Sequence, residues 1–600
     1  MTQSTKETRQ LINVMTTRHV KTFATKILVV EKINGVKQVT VVEKPTMQFY
    51  IQKKNTWNDE NGRVAVPYVE IDKCEQIECD YDGLFDVIAQ LSGEFIPGAS
   101  ERDAEFINEC RNNRQRGSMR RLHGYNFLMG TDLDITDHYY DRYYKENESS
   151  IETLPVHKVY WDIENDTVKH RKVPNPKEAP CPINAISLFD PKSMSLYGFL
   201  LRNSVKENPL IEEFEENLQE FITELQDEIR EELIEEKRAR HKGKDEFVFK
   251  EEEVNVRVVI LMYDTEEDLI KSYFKMFHSI NADIAGAWNH AYDLQTTINR
   301  CKLLGIPPEK VFCDESIPEK YRQVYFIEDD NYKKQVDKRD RWLITSSTQY
   351  TDMMINYMRI RASQPAKESY ALDAILEDEI DKNKVDYGNI ELADLPYVNY
   401  KLFVKYSLKD SFRLWQLDCA TGDTELLYDV SMFTRSRYEK GMSKTTSLRN
   451  LAFWFFREHF RIALSNNHNA ISTNSGIEKD KSSFRGAYVA NPNNLANNGV
   501  KLFGVPSKFL YELVCDDDFA ALYPSIMMCW CLDILRQVGK IEFAGDGPLN
   551  EDGINKAIRF VDTYFSRDSI ALGSEFLSLP GHYELVEIFK SIRDQRGDEE

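Results

Sequence analysis

Apolar positions concentrate near the start of the chain in two β-branched runs, Ile27 to Ile33 and Val36 to Val42. Only Asn34-Gly35 separates them, which predicts a β-hairpin with a type I′ turn. Glu101 to Leu122 carries helical spacing instead, so a small α+β domain is expected over residues 1–125. Later, Asn208-Pro209 supplies an N-cap and a first-turn proline, and Ile211, Phe214, Leu218, Phe221, Leu225 and Ile229 recur at helical spacing up to Gly243. These predict one amphipathic helix of about thirty residues whose outer face is dense in Glu. Packing on its own domain and docking of a partner both suit such a helix. A further helical pattern runs from Tyr400 to Leu417, and Tyr511-Glu512-Leu513-Val514 reads as a buried strand leading into Asp516, Asp517 and Asp518.

Six hundred residues with 42% apolar and 12% aromatic side chains suffice for about three to five globular domains. The net charge of -22 excludes a simple basic DNA-coating protein but leaves room for locally basic surfaces. Two segments turn basic. Arg111, Arg114, Arg116, Arg120 and Arg121 cluster in the first domain, and between Arg435 and Arg461 seven Lys or Arg stand against two Glu, interleaved with Phe453, Trp454, Phe455 and Phe456. Either could face phosphates, although a solvated helix face gives the same pattern. The ten cysteines include no Cys-x-x-Cys pair, no run reaches transmembrane length and no signal-peptide core is present. A cytoplasmic protein without a membrane partner is expected.

Four carboxylates are placed as if for one site. In Lys158-Val159-Tyr160-Trp161-Asp162-Ile163-Glu164, a strand pattern puts Asp162 and Glu164 on the same face. Asn281 to Asn289 leads through a turn to Asp293 in the first turn of a helix. Tyr406 and Asp410, at i and i+4, share a helix face. Individually, acids in a protein with 99 of them are usually only solvated.

Together these segments resemble the three exonuclease motifs of DEDDy proofreading nucleases in family B DNA polymerases. Thr351-Asp352-Met353, Tyr370-Ala371-Leu372 and Lys382 to Gly388 are similar to T-even-like phage members. The resemblance implies an RNase H-like domain over residues 126–425, with the acidic helix as an insertion at about 208–243. It also implies hydrolysis assisted by two Mg²⁺ ions, with Mn²⁺ an alternative, held by Asp162, Glu164, Asp293 and Asp410 about 3.5 to 4 Å apart. Tyr406 would orient the attacking water. Between Asn289 and Asp293 the chain is one residue shorter than the family pattern.

The stretch Asp518-Phe519-Ala520-Ala521-Leu522-Tyr523-Pro524-Ser525-Ile526 resembles the first palm motif of the same polymerases. That implies metal ligation by Asp518 and the Phe519 carbonyl. Ala521 and Leu522 would cradle the incoming dNTP, and Tyr523 would exclude a ribose 2′ hydroxyl. Ser483 to Val489, with Gly486, resembles a loop that contacts template backbone. The expected boundaries are a return to the N-terminal domain at 426–465, palm at 466–578 and the start of fingers at 579–600, where Arg596 would reach phosphate. The second palm motif, Asp-Thr-Asp, and a complete fingers helix are not found. The expectation is therefore multi-domain α/β and α+β architecture: an N-terminal domain, the nuclease, a partial palm and the start of fingers. Functionally this is the N-terminal part of a polymerase that binds primer-template DNA and is completed by a second chain, through which a sliding clamp would act. A stand-alone 3′-5′ exonuclease and a non-catalytic DNA-binding subunit are the alternatives.

Overall fold

The computed structural model describes residues 7–56, 68–95, 127–131, 133–152, 154–241, 254–329, 335–441 and 443–463, with isolated positions between 101 and 108 and a few short strands beyond. Two compact units form, one of Met1–Arg63 with Tyr68–Ser475 and one of Val64–Pro67 with Gly476–Glu600. In the second unit, the described residues form two antiparallel pairs, Lys501–Leu502 with Val505–Pro506 and Gly539–Phe543 with Ile558–Thr563. The palm-like stretch from Tyr511 to Ile526, Arg596 and the cluster Arg111 to Arg121 lie outside the described residues.

The first unit opens with β1 (Arg9–Arg18), β2 (Thr25–Ile33) and β3 (Val36–Val42), an antiparallel sheet in that order. The turn between β2 and β3 has positive φ at both Asn34 (50°) and Gly35 (81°), the geometry a type I′ turn demands. Next come β4 (Thr46–Gln52), β5 (Tyr68–Glu70), β6 (Cys74–Asp80) and β7 (Leu128–Met129), with β4 lying between β6 and β7.

A six-stranded sheet dominates the unit. Its members are β8 (Lys158–Asn165), β9 (Ile183–Asp190), β10 (Ser195–Leu201), β11 (Arg257–Tyr263), β12 (Ile284–Ala287) and, after a hairpin of β13 (Val324–Ile327) and β14 (Arg341–Ile344), β15 (Gln349–Asp352). The spatial order is β11-β10-β9-β8-β12-β15. β9 runs antiparallel to both neighbours, whereas β8, β12 and β15 are mutually parallel. Every residue of β9 is buried, as expected of a strand covered on both faces.

Alternation along β8 divides the packing. Val159, Trp161 and Ile163 join a core with Leu269, Tyr273 and Phe277 of helix Glu266–Ile280 and with Leu294 and Ile298 of helix His290–Leu303. Tyr160 points to the other core, built with Phe403, Val404, Leu408 and Phe412 of the long helix Tyr400–Thr421. Asp162 and Glu164 follow Tyr160 at the same parity and face that helix.

The acidic segment departs from the single helix expected. It forms two helices, Leu210–Glu216 and Leu218–His241, broken at Asn217, whose side-chain amide donates to the Glu213 carbonyl at 2.8 Å. A residue whose side chain competes for local backbone groups interrupts a helix in this way. Asn208 caps the start, accepting from the Leu210 N–H at 3.1 Å. The apolar stripe Phe221, Leu225 and Ile229 lies in the same core as the long helix, so the helix packs on its own domain.

The basic segment is also neutralised internally. Arg435 and Arg457 bond Asp141, Arg449 bonds Asp137, and Lys440 bonds Asp134, all on or capping helix Ile135–Asn147. Helix Lys444–Glu458 then leads to β16 (Arg461–Ala463), which pairs antiparallel with β5. Among the described residues no helix is long and apolar enough to cross a membrane.

Candidate active site

Two close approaches, one by the long helix and one by helix Met353–Ile360, bring helices against the sheet near the carboxylates. A Cβ on Gly198 of β10 would meet Leu408 Cδ2 at 2.9 Å, so glycine lets the helix lie against the strands two residues before Asp410. Gly286 of β12 likewise admits Met353, whose Sδ would lie 2.8 Å from an added Cβ. Asp352 caps the helix begun by Met353, accepting from Ile355 N–H at 3.0 Å, and accepts from Ala291 N–H at 3.3 Å in the helix that carries Asp293.

The result is a cluster in which one carboxylate oxygen from each of Asp162, Glu164 and Asp410 lies within 4.8 Å of the others. Asp162 and Glu164 are half-buried by surface area although protein packs densely around both carboxyls, and Asp410 is buried. Asp293 is not in that trio but lies near enough to be affected by it. Burial, then Asp162, Asp352 and Glu164, push its pKa well above the ordinary aspartate value. Asp162 is pushed up to about 7 by burial and then by Asp410. Glu164 is raised well above its usual value by burial, Asp162 and Asp410. Like charges in a dry pocket resist joint ionisation.

One cation already reaches the group. Lys384 Nζ donates to Asp410 Oδ2 at 2.5 Å and to the Tyr406 hydroxyl at 3.0 Å. Burial alone would lower its pKa, but Asp410, Tyr406, Asp162 and Glu164 outweigh that and raise it. Sequence spacing did not single out Lys384. It sits in a loop between two helices, and only its place in the Lys382 to Gly388 stretch pointed toward it.

The residues fit divalent metal ions. Asp410 Oδ1 and Asp293 Oδ2 are buried without a hydrogen-bond partner, and a lone ammonium cannot balance four carboxylates. The donor set is all oxygen, the preference of Mg²⁺ and Mn²⁺. Asn289 is exposed at the start of the Asp293 helix and makes no side-chain cap. Asp518, Phe519, Ala521, Leu522, Tyr523 and Arg596 are outside the described residues, so only the Asp162, Glu164, Asp293, Tyr406 and Asp410 set is placed.

A sheet carrying clustered acids at the end of a strand, closed by a helix with a tyrosine one turn before its aspartate, defines a class of metal-ready acidic site. The chain is similar to the DNA-directed DNA polymerase of Escherichia phage RB69, at 21% identity over 358 residues, 59% of this chain and 33% of that protein. It is likewise similar to the DNA-directed DNA polymerase of Enterobacteria phage T4, at 20% identity over 361 residues, again 59% and 33%. The chain is thus a distant relative of the T4-like phage DNA polymerases, and the matched region spans about a third of their length. No family model matches it.

Proposed function

We propose that residues 126–425, within the first unit, form a 3′-5′ proofreading exonuclease of a family B DNA polymerase. The observation that carries this reading is the convergence of Asp162, Glu164 and Asp410 on one point with Tyr406 beside them. The strand order supports an RNase H-like sheet: one reversed strand, β9, among parallel ones, with β11 added at the edge.

Asp162, Glu164 and Asp410 would hold the metal ions, with Asp293 adjoining. Bound there, Mg²⁺ supplies an acidified water and charge stabilisation for the departing 3′ oxygen. The chain's own residues do the rest. Burial, then Asp410 and Glu164, raise the Tyr406 phenol far above neutral pH, so it keeps its proton and can donate a hydrogen bond to the attacking water. Lys384 fixes Tyr406 and Asp410 relative to each other. Asn289, exposed at a helix start, is free of a capping role and available to a strand end.

On this reading Asp518 belongs to a polymerising site. The test is release of dNMP from a single-stranded 3′ end with Mg²⁺. Wild type is active and Asp162→Ala falls by at least about 100-fold; equal rates in both would refute the nuclease.

A further inference from the structure

We propose that Glu232, on the acidic helix, is a positioning residue for this site: it holds the Lys382–Lys384 segment and the Asp410 turn together so that Lys384 stands between Asp410 and Tyr406. The inference rests on the nuclease reading above. The acidic helix thereby becomes an extra support behind the carboxylates.

The Glu232 carboxylate receives four donor side chains from two elements, a loop and the long helix. Lys382 reaches it from the loop, Arg413 and Lys409 from the long helix, and Gln416 Nε2 donates at 2.9 Å. Arg413 lies one helical turn beyond Asp410, and its Nε donates to the Asn383 carbonyl at 3.3 Å. Lys382 and Asn383 immediately precede Lys384, so the two residues before the reaching lysine are tied to Glu232, one through its side chain and one through Arg413. The Lys384 backbone N–H itself donates to Asp373 Oδ1 at 2.6 Å. With this backbone held, the Lys384 side chain extends to Asp410 and Tyr406.

The neighbouring acids do not duplicate this. Glu228 pairs with Lys405 and Lys409, and Glu236 accepts from Lys382 and Gln416; in the described contacts neither reaches Arg413. Removing Glu232 leaves Lys382 and Lys409 with these other partners, so the helix stays attached. Arg413 keeps Gln416 Oε1 at 2.5 Å but loses its carboxylate, which loosens its hold on Asn383. Such networks position groups more than isolated surface pairs do, because each member fixes the next.

The experiment compares wild type with Glu232→Ala, Glu232→Gln and Glu236→Ala in the full 600-residue chain. In steady-state degradation of a single-stranded oligonucleotide with Mg²⁺, Glu232→Ala should lower kcat about 10-fold with KM for DNA unchanged, as loss of a supporting partner does. Glu232→Gln, which can still accept hydrogen bonds, should recover part of the loss, and Glu236→Ala should stay near wild type. Without metal, hydrogen exchange of amides 383–387 should quicken in Glu232→Ala while β8 is unchanged. Wild-type kcat and exchange in Glu232→Ala, alongside an inactive Asp162→Ala, would overturn the inference and leave the nuclease standing. If wild type itself degrades nothing, the nuclease reading fails, and the exchange comparison alone decides whether Glu232 positions the loop.

Discussion

Asp162 shows how a residue's surroundings turn it into a pH-dependent liability. Its folded pKa of about 7 lies above that of the unfolded chain, so the folded state binds the proton more tightly. Stability from this group is present below about pH 4, the ordinary aspartate value, and is lost as pH rises through about 7. Glu164 and Asp293 are shifted in the same direction. Metal-free protein should therefore melt lower at pH 8 than at pH 5, and saturating Mg²⁺ at pH 8 should raise the midpoint by about 2–4 °C or more. Asp162→Asn should flatten the slope; an unchanged slope would mean that the cluster does not titrate as described. Tyr406→Phe removes the hydroxyl that accepts from Lys384 and should reduce 3′-end degradation on the order of 10²-fold, read as kcat at fixed Mg²⁺. At this scale the acids were legible because two-residue and four-residue spacings are local. Lys384 was not, since a loop lysine 26 residues from its carboxylate carries no periodic signal.

Among elements, the long helix and β10 decide how well the cluster is assembled. Their contact at Gly198 leaves no room for a methyl group, so Gly198→Ala must displace Leu408 or the helix. The expected result is a loss of about 1–3 kcal/mol in unfolding free energy with a drop in nuclease rate, measured by denaturant melts and the 3′-end assay. Undiminished activity in a fully folded variant would detach the helix contact from the site. The hairpin at Asn34-Gly35 and the helix from Tyr400 could be read from the chain because turn chemistry and periodicity act over a few residues. The break at Asn217 could not: the apolar stripe continues across it, and only the local hydrogen bond reveals it. Nor could the basic segment be read alone, because the aspartates that neutralise Arg435, Arg449 and Arg457 lie about 300 residues earlier in helix Ile135–Asn147.

Across the first unit, the N-terminal hairpin is fastened to the central sheet by a buried charge. Asp283, fully buried before β12, accepts from Lys32 and from the His157 N–H at 2.7 Å and pairs with Lys37 at 3.5 Å. Burial lowers the Lys37 pKa to about 8 against the pull of Asp283. Lys37→Met should therefore cost about 3 kcal/mol, since it strips a partner from a buried carboxylate, and thermal melts would show it. The sequence marked Asp283 only as part of a motif, because its lysine partners come from the N-terminal hairpin, Lys32 lying 251 residues earlier. The claim beneath the whole account is that the acids of β8 and of the long helix form one metal site. Crystals soaked in Mn²⁺ test this most directly. The account predicts anomalous density bonded to Asp162 and Asp410; an empty cluster would contradict it.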